Sequence, residues 1–101
     1  MDTLRALAAR LEEASATLAV LSRTVTAADP AHPAFGADAP GRPGEIGRAL
    51  HRQWTAATGD RAREASAASA RLAAAASAVR SAADRYAGAD DTARRRLPGD
   101  R

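Results

Sequence analysis

The sequence predicts an all-α fold: a two-helix antiparallel hairpin with a long second helix, becoming a four-helix bundle on dimerisation. Three observations carry this. Ala supplies 30 of the 101 residues, while bulky apolar and aromatic side chains number only 16. Ala is the strongest helix former, is depleted in strands, and lets helices approach closely. Apolar residues also recur at spacings of 3 and 4 over two long stretches, which is the rhythm of a helix face. A Pro- and Gly-rich stretch lies between them and reads as their connection. The length suits a single small domain spanning 1–101.

The first helix is expected over 3–28. Leu4, Leu7, Leu11, Ala14, Leu18, Leu21, Val25 and Ala28 form an uninterrupted heptad seam. Asp2 or Thr3 suits its cap, and Asp2 also suits the positive end of the helix dipole. Asp29-Pro30 ends it, because the residue before Pro avoids the helical region. Residues 29–44 hold four Pro and three Gly and read as a loop. It is longer than the roughly 2–8 residues usual between helices, and Phe35 sits in its middle.

The second helix is expected over 45–97. Its apolar set begins Ile46, Leu50, Trp54, Ala57 and resumes at Ala65, Ala68, Leu72, Ala75, Val79, Ala82, Tyr86, Ala89, Ala93 and Leu97. Between Ala57 and Ala65 the rhythm slips, and Thr58-Gly59-Asp60 lies in the slip. Gly costs about 1 kcal/mol in a helix interior, so a stutter or kink is expected near Gly59. Ile46, Leu50 and Trp54 read as packing anchors, with Trp54 in the core between the helices. Arg80–Asp84, Asp90–Arg94 and Asp91–Arg95 are i,i+4 ion pairs. Pro98 stops the helix.

Length arithmetic then asks for a second chain. At 1.5 Å per residue the two helices span roughly 39 and 80 Å. Folded back, the first covers about half of the second. Leu72, Val79 and Tyr86 would lie largely beyond that cover, and an apolar stripe with nothing against it is not stable in water. These three residues are therefore expected to form a dimer seam, with an identical chain or a related hairpin.

Other function classes find little support. No Cys is present, which excludes disulfide and thiolate chemistry. No run of 18 apolar residues exists, so no transmembrane segment is expected. Met1-Asp2-Thr3-Leu4-Arg5 lacks a basic region followed by an apolar one, so no cleavable signal peptide is expected. His32 and His51 do not have metal-ligand spacing. No carboxylate pair, phosphate loop or nucleophile–base pair stands out. An enzyme is not expected, nor are catalytic residues, a cofactor or a metal. The net charge is +3, carried by 15 Arg and no Lys, and the calculated pI is near 10.9. Arg never titrates at working pH, so that pI is a weak argument for nucleic acid. Arg94-Arg95-Arg96 suits the negative pole of a helix end, with Asp90 and Asp91 neutralising two of the three charges.

Taken together, these features resemble a known family. The size, the Ala-rich helix, the Gly/Pro loop and the longer Ala-rich helix match it. A lone Trp54 sits early in the second helix, in Ile46-Gly47-Arg48-Ala49-Leu50-His51-Arg52-Gln53-Trp54. A Tyr-x-x-x-Asp signature, Tyr86-Ala87-Gly88-Ala89-Asp90, lies near the C-terminus. The chain resembles the EspC-like substrates of type VII (ESX) secretion, within the WXG-motif superfamily. Trp54 is followed by Thr55-Ala56 rather than x-Gly, so the Pro/Gly loop would make the turn, as in the EspC-like branch. The resemblance implies a secreted protein, cytoplasmic before export, that leaves without a cleavable signal peptide. It implies that Tyr86 and Asp90 form an export signal read on a helical dimer by the secretion machinery. The protein would act by itself or as the targeting partner of a larger secreted effector. Alternative readings are an Arg-rich coiled-coil nucleic-acid-binding protein and an intracellular helical adaptor or chaperone. A binding titration at two salt concentrations separates the former, and a secretion assay the latter.

Overall fold

A computed structural model describes residues 2–96. Helix α1 spans Asp2–Thr24 and helix α2 spans Gly41–Arg95, with one 3-10 turn at His32–Phe35 between them. The described residues are a helical hairpin without strands. The expected end of the second helix at 97, Leu97 and the stop at Pro98 lie outside the described residues.

The boundaries shift for local reasons. α1 gives way after Thr24 to turns closed by Val25 N–H to Leu21 O (3.0 Å), Ala27 N–H to Thr24 O (3.1 Å) and Asp29 N–H to Thr26 O (3.1 Å). Thr24-Val25-Thr26 is a β-branched run, which is stiff and weakly helical. α2 begins four residues earlier than expected. Pro43 is tolerated there because a first-turn N–H has no intrahelical partner to lose. Gly36 (φ 75°) ends the 3-10 turn in the left-handed region, donating to Pro33 O at 2.9 Å, a conformation that suits Gly.

The chain divides into two compact units. One unit joins Met1–Ala16 to Ser69–Arg101. Its two helical segments run antiparallel. Arg5 Nη2 donates to Asp84 Oδ1 at 3.1 Å, Arg80 pairs with Glu12, and Ser15 meets Ser69. Ser15 Oγ donates to the Ser69 carbonyl at 2.9 Å, and Ser69 Oγ donates to the Ser15 carbonyl at 2.7 Å. A one-carbon side chain reaching the other helix's backbone requires close helices. Ala8, Ala76 and Ala83 fill the space, each no more than 1% exposed. Leu4, Leu11, Leu72 and Val79 are half-buried.

This overturns the length arithmetic. α1 reaches Asp84 through Arg5, so Leu72 and Val79 lie within its reach. Within this unit the start of α1 lies opposite residues near 84 rather than the first half of α2. The expected seam also rotates by one position. Leu4, Leu11, Leu18 and Val25 are half-buried as expected, but Ala8, Ser15 and Ser22 accompany them, while Leu7, Ala14 and Leu21 are exposed. Small residues win these positions because they permit the close approach.

The other unit is Thr17–Ala68. Here the connection folds against the first turns of α2. Ala37 is 2% exposed, and Gly44 and Gly47 are buried. A Cβ on Gly47 would stand 2.2 Å from the Phe35 carbonyl oxygen and 2.9 Å from the Ala37 nitrogen. No other residue allows that approach.

α2 is unbroken through Gly59. Its half-buried or buried positions keep one rhythm of 4 and 3 through His51, Thr55, Thr58, Ala62, Ala65, Ser69, Leu72, Ala76, Val79 and Ala83. The expected stutter therefore does not exist on the covered stripe. It arose from joining two different stripes, one marked by the bulky Ile46, Leu50 and Trp54 and the other by small residues.

Candidate interaction surface

The surface follows from which side chains the fold leaves uncovered. No bulky side chain is fully buried among the described residues, and the buried hydrophobic residues are Ala8, Ala37, Ala76 and Ala83. Leu7, Val20, Leu21, Ile46, Leu50, Trp54 and Tyr86 remain 45–59% exposed.

Ile46, Leu50 and Trp54 follow each other at i,i+4 on α2, so they share a ridge. At 54%, 46% and 49% exposure they do not anchor a core between the helices. The correction has a plain cause: His51 and Thr55, one position on, occupy the covered stripe. Trp54 instead meets Phe35 of the connection, with centroids 6.1 Å apart and planes inclined at 46°. The same corner holds two histidines. His32 and His51 stand 5.1 Å apart, edge to face, and Phe35 lies 6.5 Å from His51. His51 Nε2 donates to the Pro30 carbonyl at 3.2 Å, and Arg48 Nη1 donates to the Ala37 carbonyl at 2.8 Å. His32 Nδ1 lies 3.7 Å from Asp38 Oδ1. Asp29 Oδ1 is buried without a hydrogen-bond partner.

Tyr86 and Asp90 lie one turn apart near the end of α2, and both are exposed. Tyr86 shares a shallow concave face with Ala82, Arg85 and Ala89. A second such face continues along the helix over Ala89, Thr92, Ala93 and Arg96. Leu72 and Val79 are half-buried on the covered stripe, whereas Tyr86 is exposed.

The expected i,i+4 acid–base neighbours make their close contacts elsewhere, although the Asp84 charge still acts on Arg80. Arg80 pairs with Glu12 and Asp84 with Arg5, across the two helical segments, while Arg94 pairs with Asp91 at i,i+3. The hydrogen bond from Arg80 and its positive charge hold the Glu12 carboxyl below the ordinary glutamate range, and the Arg80 guanidinium is raised in return.

Among the described residues, no group of three or more His, Cys, Asp or Glu side chains is placed to hold a metal ion. No described helix is long and apolar enough to cross a membrane. Sequence reasoning missed the exposed faces of Leu7 and Leu21 and the docking of the connection on Gly47. The spacing Gly44-x-x-Gly47 was the available signal, since it puts two side-chain-free positions on one helix face. In comparisons with known proteins, no family model, curated protein or solved structure matches the chain.

Proposed function

We propose that this protein acts by association. Its hairpin pairs through exposed apolar ridges with a second copy or a related helical hairpin, forming a four-helix arrangement. The pair is a substrate of a type VII secretion system, exported alone or as the targeting partner of a larger effector.

One observation carries the association: among the described residues no bulky side chain is completely buried, and seven large apolar residues are about half exposed. Full burial of such a side chain is worth roughly 1.5–3 kcal/mol. Covering seven half-exposed ones adds about 5–10 kcal/mol, comparable to the whole net stability of a small domain. Light scattering tests this reading. The wild type is expected to weigh more than one chain, and Leu50→Asp to reduce that mass. A single-chain mass at high concentration with full helicity overturns it.

The export reading rests on the resemblance. Its support is that Tyr86 and Asp90 are exposed and one turn apart, offering a ring with a hydroxyl and a carboxylate to one receptor groove. Secretion of wild type and Tyr86→Ala from a cell with a type VII system decides it. Loss of export by a still-helical variant is the expected result, and unchanged export removes the signal.

A further inference from the structure

Two exposed stripes of the unit that joins Met1–Ala16 to Ser69–Arg101 carry opposite charge in the same pattern. We infer that the acidic stripe on α1 of one copy docks on the basic stripe near the end of α2 of a second copy, a head-to-tail contact separate from the apolar ridges.

The acidic stripe is Asp2, Ala6, Ala9 and Glu13. The basic stripe is Arg85, Ala89, Thr92 and Arg96. Both run at i, i+4, i+7 and i+11, so each keeps one line along its helix and sets its two charges roughly 16 Å apart. Arg96 lies just past α2, but its N–H still donates to Thr92 O at 3.0 Å, which continues the helical turn. Every residue of the two stripes is exposed. Asp2, Arg85 and Arg96 join no ion pair among the described residues. The residues between the charges are small and admit a second backbone closely, as Ser15 and Ser69 do between α1 and α2. Thr92 Oγ1 donates to the Gly88 carbonyl at 3.0 Å, so its hydroxyl asks nothing of a partner.

One chain cannot join its own stripes. Its helical segments meet through Ser15 and Ser69 and the buried Ala8, Ala76 and Ala83, and at about 100° per residue each charged stripe falls on the far side of its helix from that contact. A second copy supplies the complement. Set antiparallel, Asp2 meets Arg96 and Glu13 meets Arg85, with small residues facing each other between them, because the 4,3,4 spacing reads the same in both directions. That direction also brings the positive pole of α1 to the negative pole of α2. A polyanion would suit the basic stripe alone; an acidic stripe of equal spacing on the same unit favours another copy. Each copy carries the two signs on different helices, so the contact is heterologous and extends from copy to copy into rings or filaments instead of closing a two-fold pair. Leu7 and Tyr86 lie off both stripes, so the contact rests neither on the apolar association nor on export. Exposed ion pairs are weak and screened by salt, which places the contact at low salt and high protein concentration.

Light scattering of the full chain is followed against protein concentration at about 0.01 M and about 1 M salt, between which the screening length falls from about 30 Å to about 3 Å. Screening does not weaken apolar association, so the mass at high salt reports the ridges and the extra mass at low salt reports the stripes. The wild type is expected to reach about twice its high-salt mass, or more, at low salt. Asp2→Arg with Glu13→Arg makes both stripes basic, and Arg85→Glu with Arg96→Glu makes both acidic. Each variant alone should lose the gain, and an equimolar mixture of the two should regain it, because each now carries the other's complement. Helicity is recorded throughout. Should a reversed variant lose helix, Glu13→Gln and Arg85→Gln replace the pair, and each should lower the gain. Equal wild-type mass at both salts, a full gain retained by a folded variant, or a mixture of folded reversed variants that stays at the high-salt mass overturns the contact.

Discussion

Adjacent alanines on α2 offer a sharp test of the close-packed hairpin. Ala76 is 1% exposed, whereas Ala75 is exposed. The heptad pattern of bulky residues puts Ala75 on the inner face, in line with Leu72 and Val79, and Ala76 outside. On that reading Ala75→Leu fills the seam and adds three buried carbons, worth about 2.4 kcal/mol at 0.8 kcal/mol each. The structure predicts otherwise. Ala76 is covered to 1% exposure, and two turns away the helices approach closely enough for Ser15 and Ser69 to bond each other's carbonyls. Three extra carbons at 76 must push α1 away or adopt poor rotamers, at a cost of about 1–3 kcal/mol. Ala75→Leu, on the surface, should stay within about 0.5 kcal/mol of wild type. Urea unfolding followed by circular dichroism measures both. With a slope of about 1–3 kcal/mol per molar urea for a small protein, Ala76→Leu should lower the midpoint by roughly 1 M. A midpoint raised by Ala76→Leu, or one lowered by Ala75→Leu but not by Ala76→Leu, would refute close packing through this stripe.

Three other outcomes are expected. Ser69→Ala removes the hydroxyl that donates to the Ser15 carbonyl and should cost about 1 kcal/mol in the same urea assay; no change would mean that water replaces the bond freely. Gly47→Ala places a Cβ 2.2 Å from the Phe35 carbonyl oxygen, so the connection should lift from α2 and Trp54 emission should change at constant helicity, even though Ala is the better helix former by about 1 kcal/mol. Glu12 has a lowered pKa in the folded chain, from the Arg80 hydrogen bond first, so the pair stabilises the fold above the ordinary glutamate value of about 4.3 and that contribution fades as pH falls through the lower folded value. Between pH 5 and 2 the wild type should lose more stability than Glu12→Gln. The pair is exposed, so the test is one of sign, and equal acid sensitivity would count against it.

The amino-acid sequence by itself determined the elements and their order. Thirty alanines and two runs of 3,4 spacing commit the chain to helices, and four prolines and three glycines between positions 29 and 44 commit it to a turn, because these are local steric preferences. Asp29-Pro30 placed the end of the first helix at 28, four residues past its end at Thr24, because the β-branched Thr24-Val25-Thr26 weakens the last turn first. The spacing also marked Leu4, Leu11, Leu18, Leu72 and Val79 as inward-leaning. Tertiary structure alone decided which of two neighbouring stripes each helix covers. Heptad reasoning followed the largest side chains, Leu7, Leu21, Ile46, Leu50 and Trp54, yet the chain covers Ala8, Ser15, Ala76 and Ala83, since small residues let two backbones come near while large ones hold them apart. How the connection folds was equally hidden from sequence. It rests on a bare glycine face at 47, a histidine–carbonyl bond and a Phe35–Trp54 contact, each joining residues that no periodic pattern links.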